Sequence, residues 1–348
     1  MSVVIITGSS GLVGSESVNF FCKKGFDVIG LDNNLREFFF GKDGSTKKVR
    51  ELLKKKNKNF NSYNIDVRNF NSLEKIFKKY KKKISLIIHC AAQPSHDYGK
   101  NFPIIDFNVN AKGTLNLLEL TKIYCSEAKF IFMSTNKVYG DNPNNLSLTE
   151  NKKRWELKKN HPFYKGINEK FSIDNCTHSF FGVSKSYADL IVQEYGKNIG
   201  LNTVSFRAGC ITGPNHRGTK LHGFLSYLVK TSLRKKKYTI IGYKGKQVRD
   251  NIHSMDLVNC FWEYYKKPRK GEVYNIGGGR FSNCSIIEAL DLVETIKNIK
   301  IKKKFLKTPR IGDHVWYISD LKKFKNHYPK WRQKYNTKKI IEELIEKN

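Results

Sequence analysis

The sequence predicts an α/β fold, a doubly wound parallel sheet followed by a smaller mixed α/β lobe. Three observations carry this. Short apolar runs alternate with helix-spaced segments over residues 3–207, and that alternation gives a parallel sheet with helices on both faces. The run Ile84-Ser85-Leu86-Ile87-Ile88-His89-Cys90-Ala91-Ala92 is nearly continuous rather than alternating, as a strand covered on both faces requires. Lastly, Val3-Val4-Ile5-Ile6 passes straight into Thr7-Gly8-Ser9-Ser10-Gly11-Leu12-Val13-Gly14 and a helix-compatible segment, residues 15–24.

That strand, glycine turn and helix form a place for a dinucleotide pyrophosphate. Gly8 allows the tight turn, Gly11 lets backbone approach phosphate, and Gly14 lets the helix lie close to the sheet. The helix N-terminus then offers free N–H groups and partial positive charge to the anion. A second strand over residues 26–32 ends in Asp32, where a carboxylate accepts hydrogen bonds from the adenosine ribose. Asn33 and Asn34 follow it instead of arginine, so a 2′-phosphate would meet negative charge and NAD is expected over NADP.

Farther along, residues 35–58 read as a polar insertion with a basic helix over 47–56, and residues 59–67 as the third strand, with Asp66 in reach of the adenine edge. A short amphipathic helix over 72–80 precedes the fourth strand, 84–92, which breaks into Gln93-Pro94-Ser95 at its carboxyl end, the edge where such sheets bind ligands. A helix over 104–124, a fifth strand over 129–135, a long polar segment over 142–178, a helix over 181–198 and a sixth strand over 202–207 complete the alternation. Beyond it, helices near 221–234, 256–267, 286–296 and 337–346 mix with strands near 238–243, 249–253 and 273–276. We expect a dinucleotide-binding domain over 1–205 and a substrate lobe over 206–348, with segments such as 250–277 returning to the first domain.

Composition narrows the classes. No apolar run approaches the roughly 20 residues of a membrane span, and nothing reads as a signal peptide. Cys22, Cys90, Cys125, Cys176, Cys210, Cys260 and Cys284 are scattered and never form C-x-x-C, which suits reduced thiols in the cytoplasm. No zinc spacing occurs, so no metal is expected. Ser10 lacks the G-x-S-x-G frame of a nucleophile elbow. The net charge of +33 comes from lysine runs spread along the whole length, whereas a nucleic-acid binder gathers them on one face with aromatics between. We expect no nucleic-acid partner and no membrane partner, but a field that draws in anionic substrates.

The strings TGSSGLVG (7–14), HCAAQ (89–93), NVNAKGTLNLLE (108–119), STNKVYGD (134–141), GVSK (182–185), GKQVRDNIH (245–253), YNIGGG (274–279) and PRIGD (309–313) resemble those of the extended short-chain dehydrogenases/reductases. Within them the chain resembles the nucleotide-sugar epimerases and dehydratases, with STNKVYGD and GKQVRD most similar to the CDP-paratose 2-epimerase (CDP-tyvelose epimerase) branch. The resemblance implies a Rossmann-like fold, NAD as cofactor, and epimerisation by transient oxidation to a keto-sugar followed by hydride return. It also implies a CDP-sugar substrate inverted at C2, and a homodimer formed through helices at 104–124 and 181–198.

The resemblance places cofactor contacts at Gly8, Ser10, Gly11, Leu12, Val13, Gly14, Asp32, Asn33, Asp66, Val67, Ala91, Ala92, Gln93, Asn110 and Lys185. It places substrate contacts at Gln93, Thr135, Asn136, Cys210, Arg249 and Arg310, the two arginines gripping the sugar-nucleotide pyrophosphate. Thr135 matches the hydroxyl beside the nicotinamide, and Lys185 the lysine of the family's Tyr-x-x-x-Lys pair. The tyrosine position itself is Phe181, whose ring has no proton to exchange. Cys210, Tyr139, Tyr164 and His178 are candidate replacement bases; Gln93, His96 and His216 are in play for sugar or base contacts, with a core or solvated role the simpler expectation. The alternatives to an epimerase are a nucleotide-sugar 4,6-dehydratase or reductase, and a non-catalytic binder of NAD or nucleotide-sugar.

Overall fold

The computed structural model describes residues 2–216, 218, 223–308 and 312–347. The chain forms two compact units. The first comprises Met1–Val138, Phe180–Arg207 and Val258–Tyr274, and the second Tyr139–Ser179, Ala208–Leu257 and Asn275–Asn348.

The first unit is built on a Rossmann-like seven-stranded sheet. Strands β1 (Val3–Thr7), β2 (Asp27–Leu31), β3 (Phe60–Tyr63), β4 (Ile84–His89) and β5 (Lys129–Thr135) lie in the order β3-β2-β1-β4-β5, followed by Asn202–Ala208 and Glu272–Ile276. Pairings of β1 with β2 and β4, of β2 with β3, and of β4 with β5 are parallel. The order reverses direction at β1, so the carboxyl ends of β1 and β4 flank the switch point at which open α/β sheets take ligands. Every residue of β1 is buried, which accounts for its unbroken apolar run.

Helices α1 (Leu12–Lys23), α2 (Leu35–Phe40), α3 (Lys47–Lys56), α4 (Phe70–Tyr80), α5 (His96–Asn101), α6 (Pro103–Phe107), α7 (Gly113–Tyr124) and α8 (Phe180–Lys197) belong to this unit. The core gathers Ile5, Ile29, Leu73, Phe77, Ile87, Leu117, Phe130, Phe132, Ala188 and Val192 from strands and helices alike.

Three departures from the sequence expectation bear on the first unit's ligand edge. The helix expected over 104–124 is two helices joined by a π-helical turn, Asn108–Lys112. Gly113 passes so close to Val67 that a Cβ would lie 2.7 Å from its Cγ2, and Asn110 sends its side chain back to Gln93. The third strand stops at Tyr63, because the chain beyond it turns so that Asp66 can accept the backbone N–H and guanidinium of Arg68. Helix α5 was absent from the expectation: its six residues include a glycine and carry too little periodicity to register.

The second unit is mixed. Val248–His253 pairs antiparallel with Asn283–Ser285 and parallel with Trp316–Tyr317 and Cys210–Thr212. Tyr238–Ile241 and Lys303–Leu306 form a parallel pair, and Leu148–Glu150 with Trp155–Leu157 an antiparallel hairpin inside the long polar segment. Its core collects Leu225, Leu228, Ile240, Leu290, Val293, Ile340 and Leu344. Among the described residues no helix is long and apolar enough to cross a membrane.

Candidate functional site

In the first unit the glycine turn follows β1 directly. Gly8 has φ +63°, and a Cβ on it would lie 2.8 Å from the Ala91 backbone nitrogen, so β1 and β4 converge there as only glycine allows. A Cβ on Gly14 would lie 2.1 Å from the Gly8 carbonyl oxygen, which packs the start of α1 against the turn. Helix α1 begins with Gly11 as a cap lacking a side-chain hydrogen bond, and its first turn carries no acid. The first N–H groups of such a helix are available to an outside anion.

Asp32, just past β2, ties this turn to the second strand. Its Oδ2 accepts the Ser10 N–H at 2.9 Å, and its Oδ1 accepts the Asn34 N–H at 2.8 Å. Ser10 is buried, and among the described residues its Oγ meets no hydrogen-bond partner. A buried hydroxyl without a partner points to a missing polar group. An uncapped helix start, a close-packed glycine turn and this orphaned hydroxyl together fit a dinucleotide pyrophosphate. Leu12 and Val13 are the first residues of α1, both partly exposed.

Farther along the same edge, the Asn33 side-chain amide donates to Asp66 Oδ2 at 2.8 Å, and Arg68 holds Asp66 through its Nε and Nη2. Burial works against the charged form of Asp66, but the Arg68 and Asn33 hydrogen bonds and charge outweigh it and keep the carboxyl below its ordinary range. A pocket lined by Asp66, Arg68, Asn69, Phe70 and Asn71 opens beside this pair. Arg68 was missed in the sequence; its position two residues after Asp66 carried no motif.

After β4, the Ala91 N–H donates to Thr7 Oγ1 at 3.1 Å, and Ala92 is partly exposed. The Gln93 side chain is buried and turned inward, donating to the Ser95 carbonyl and to Asp106. Asn110 clamps the Gln93 backbone from both sides, accepting its N–H at 2.9 Å and donating to its carbonyl at 3.1 Å. Burial raises the Asp106 carboxyl against the hydrogen bonds of Ser184 and Gln93.

Thr135 ends β5, where its Oγ1 accepts the Lys137 N–H at 3.2 Å; Asn136, next to it, is buried. Lys185 on α8 is buried beneath the same strand, with its Nζ donating to the Met133 carbonyl at 2.6 Å and lying 4.0 Å from the centre of the Phe132 ring. Burial lowers its ammonium pKa to about 7, against the attraction of Asp189, Cys90 and Asp106. Phe181, one helical turn before it, is buried at 7 % exposure and meets the His96 ring edge to face, with centroids 5.3 Å apart. The structure thus brings the phenyl ring, the lysine and the strand-end threonine into one unit.

The second unit holds Cys210 and Arg249 on neighbouring strands, with Cys210 opposite Asn251. The Arg249 guanidinium lies 3.7 Å from an Asp313 oxygen and donates to its own neighbour's carbonyl, Val248. Arg310 lies outside the described residues. Of the proposed replacement bases here, the Tyr139 hydroxyl is committed to Asn275 Oδ1 at 2.7 Å, Tyr164 lies under the Arg280 guanidinium at 4.0 Å, and His178 sits beside Cys176. His216 is partly exposed near Ser226. Two of the recognised strings meet at Asp250, which burial holds at about 6 and which accepts the Ser319 and Gly279 N–H groups. A Cβ on Gly209 or Gly277 would collide with its carboxylate at 2.1 or 2.0 Å, so these glycines stand where the chain must crowd a buried acid.

A dinucleotide cradle at the switch point of a parallel sheet, with a hydroxyl and a buried lysine at its edge, defines a nucleotide-dependent α/β enzyme scaffold. Residues 4–277 match the NAD dependent epimerase/dehydratase family, and the chain belongs to it; NAD is the cofactor of that family. The chain is 31% identical over 352 aligned positions to CDP-paratose 2-epimerase of Salmonella typhi, covering 99% of this chain and 98% of that one. It is 32% identical to dTDP-D-glucose 4,6-dehydratase of Dictyostelium discoideum, covering 86% of this chain and 62% of that one. Its fold matches UDP-glucose 4-epimerase of Bifidobacterium longum, solved with NAD+ and UDP, at a TM-score of 0.80 and 22% identity over 99% and 97% of the two chains.

Proposed function

We propose that this chain is an NAD-dependent nucleotide-sugar epimerase acting on a CDP-sugar at C2, by transient oxidation to the keto-sugar. The observation that carries this reading is the full-length likeness to CDP-paratose 2-epimerase at 31% identity. In this reading the first unit binds the cofactor and the second the substrate. The turn at Gly8, Gly11 and Gly14 and the start of α1 hold the pyrophosphate, and Asp32 takes the ribose. When bound, NAD supplies a hydride acceptor that is restored within each turnover. Thr135 orients the reacting hydroxyl, Lys185 supplies positive charge at the nicotinamide ribose, and Arg249 and Arg310 bind the sugar-nucleotide phosphates with paired donors.

The test is incubation of the NAD-loaded protein with CDP-, UDP- and GDP-sugars, followed by NMR of the products. The expected product is inverted at one carbon, with no deuterium there when the reaction runs in D2O, because the hydride returns internally. Net loss of water would instead support a 4,6-dehydratase, the reading favoured by the Dictyostelium likeness; consumption of NADH would support a reductase. Phe181 favours a third reading, a binder without turnover, and Phe181→Tyr discriminates. A large gain in turnover means a base was lost, whereas unchanged turnover means proton transfer runs through another group.

We also infer a cytoplasmic homodimer. Ile104, Phe107, Ile123, Phe180, Val183, Tyr187 and Leu190 on α6, α7 and α8 are all exposed, and such a run of apolar side chains suits an interface with a second copy.

A further inference from the structure

We propose that His96 is the proton-transfer group of this enzyme, working beside the ring that stands where the family's phenol belongs. The inference rests on the epimerase reading above and adds the one part that reading lacks, an atom able to take and return the proton of the reacting hydroxyl.

Geometry comes first. His96 opens α5, and its imidazole stands edge to face on the Phe181 ring, centroids 5.3 Å apart and planes at 75°. The approach is built into the fold. Gly99, three residues on, brings α5 so near α8 that a Cβ there would lie 3.0 Å from the Phe181 backbone nitrogen. Ser95 caps α5 by accepting the Tyr98 N–H, and Tyr98 packs against Phe39 at 5.2 Å between ring centres. The imidazole is therefore carried on a short helix clamped from two sides, and it remains partly exposed.

Several other titratable groups of this unit are tied into hydrogen bonds or held in an unsuitable protonation state. His89 is buried between Thr7 Oγ1 at 2.7 Å and Thr114 Oγ1 at 3.0 Å, and burial with the Lys185 charge drops its pKa to about 3. Burial pushes the Cys90 thiol up to about 12, so it holds no thiolate near neutrality. Asp106 is committed to Ser184, Gln93 and Asn110. Lys185 points its Nζ into the Met133 carbonyl. The charged groups on elements packed against α5 are Asp106 on α6, Lys185, Asp189, Glu194 and Lys197 on α8, and Arg36 and Glu37 on α2, with Asp97 and Lys100 on α5 itself.

Imidazole suits the task because its ordinary titration lies near the working pH, where a general base and its conjugate acid are both available. In the oxidative half, the sugar O–H bond breaks and an imidazole N–H bond forms. The O–H electron pair becomes the second C–O bond, and the C–H bond breaks with its pair leaving as hydride to the nicotinamide. In the return half, hydride comes back to the opposite face of the carbon and the imidazolium returns its proton to oxygen. Proton and hydride are both restored, so no further oxidant or reductant is needed.

The experiment uses NAD-loaded wild-type protein, His96→Gln and His96→Asn with the CDP-sugar that the panel identifies. Expected is a fall in kcat of about 10²–10⁴-fold in both variants with KM nearly unchanged, and loss of the near-neutral limb of the kcat–pH profile. On the wild type alone, NMR should show the His96 imidazole signals shifting when the CDP-sugar is added. Wild-type turnover retained in the variants with the same pH profile, or an imidazole that ignores the sugar, overturns the proposal and leaves the epimerase reading intact. A wild type that binds NAD but converts no sugar of the panel overturns both.

Discussion

At the scale of single residues, Lys185 is the clearest case of a side chain held away from its preferred state. It is buried at 3 % exposure with one carbonyl partner, and its folded pKa is lowered to about 7 from 10.5. Below pH 7 both folded and unfolded chains carry the proton, so the folded state bears the full cost of burying the charge. Between pH 7 and 10.5 the unfolded chain binds more protons than the folded one, and stability rises with pH. Replacing the lysine by methionine removes that dependence together with the hydrogen bond to the Met133 carbonyl, a loss of about 1 kcal/mol. The stability of wild type relative to Lys185→Met should therefore stay level below about pH 7 and improve from pH 7 to pH 10, as followed by urea unfolding. A constant difference across that range would mean the lysine is not held in its neutral-leaning state. A second residue prediction concerns Phe181→Tyr. With proton transfer through His96, the added hydroxyl should change kcat less than tenfold, measured at saturating CDP-sugar.

At the scale of elements, the legible parts were those with strong periodicity or a glycine motif. The spans of α3 and β5 emerged as expected, because a basic amphipathic stretch and a continuous apolar run each have one structural solution. Helix α5 and the π-helical turn at Asn108–Lys112 were not legible. Both are specified by tertiary contacts, Gly99 on α8 and Asn110 on the Gln93 backbone, which leave no local pattern. The same limit applies to the candidate site. Gly8, Gly14 and Asp32 announce themselves by spacing, whereas the His96–Phe181 contact joins residues 85 positions apart in sequence and needs the α5–α8 packing to exist. Helix α8 also carries the element-level prediction. Its outer face exposes Val183 at 56 % and Leu190 at 46 %, one above the other at a spacing of seven. Val183→Glu with Leu190→Glu should convert a dimer to a monomer in light scattering with the far-UV circular dichroism unchanged, since neither side chain belongs to the core. A dimer that survives the double substitution would place the interface elsewhere.

At the scale of the whole molecule, the dominant feature is charge. The net +33 arises from 64 lysines and arginines against 31 acids, and the lysine runs at 54–56 and 81–83 in the first unit and 235–237 and 302–304 in the second are largely exposed. Distributed in this way, they act as a long-range field rather than a docking patch, and a nucleotide-sugar diphosphate is an anion within that field. Such a field is screened by salt, with a range of about 30 Å at 0.01 M falling to about 10 Å at 0.1 M. Association with a CDP-sugar should slow over that interval, raising KM. In the proposed reaction the transfer steps act on substrate already bound, so kcat should hold nearly constant. Steady-state kinetics at the two salt levels read both quantities at once. A KM that stays flat would mean the lysines decorate the surface without steering the substrate, and a kcat that falls with it would place the salt-sensitive step after binding, in the chemistry or in product release.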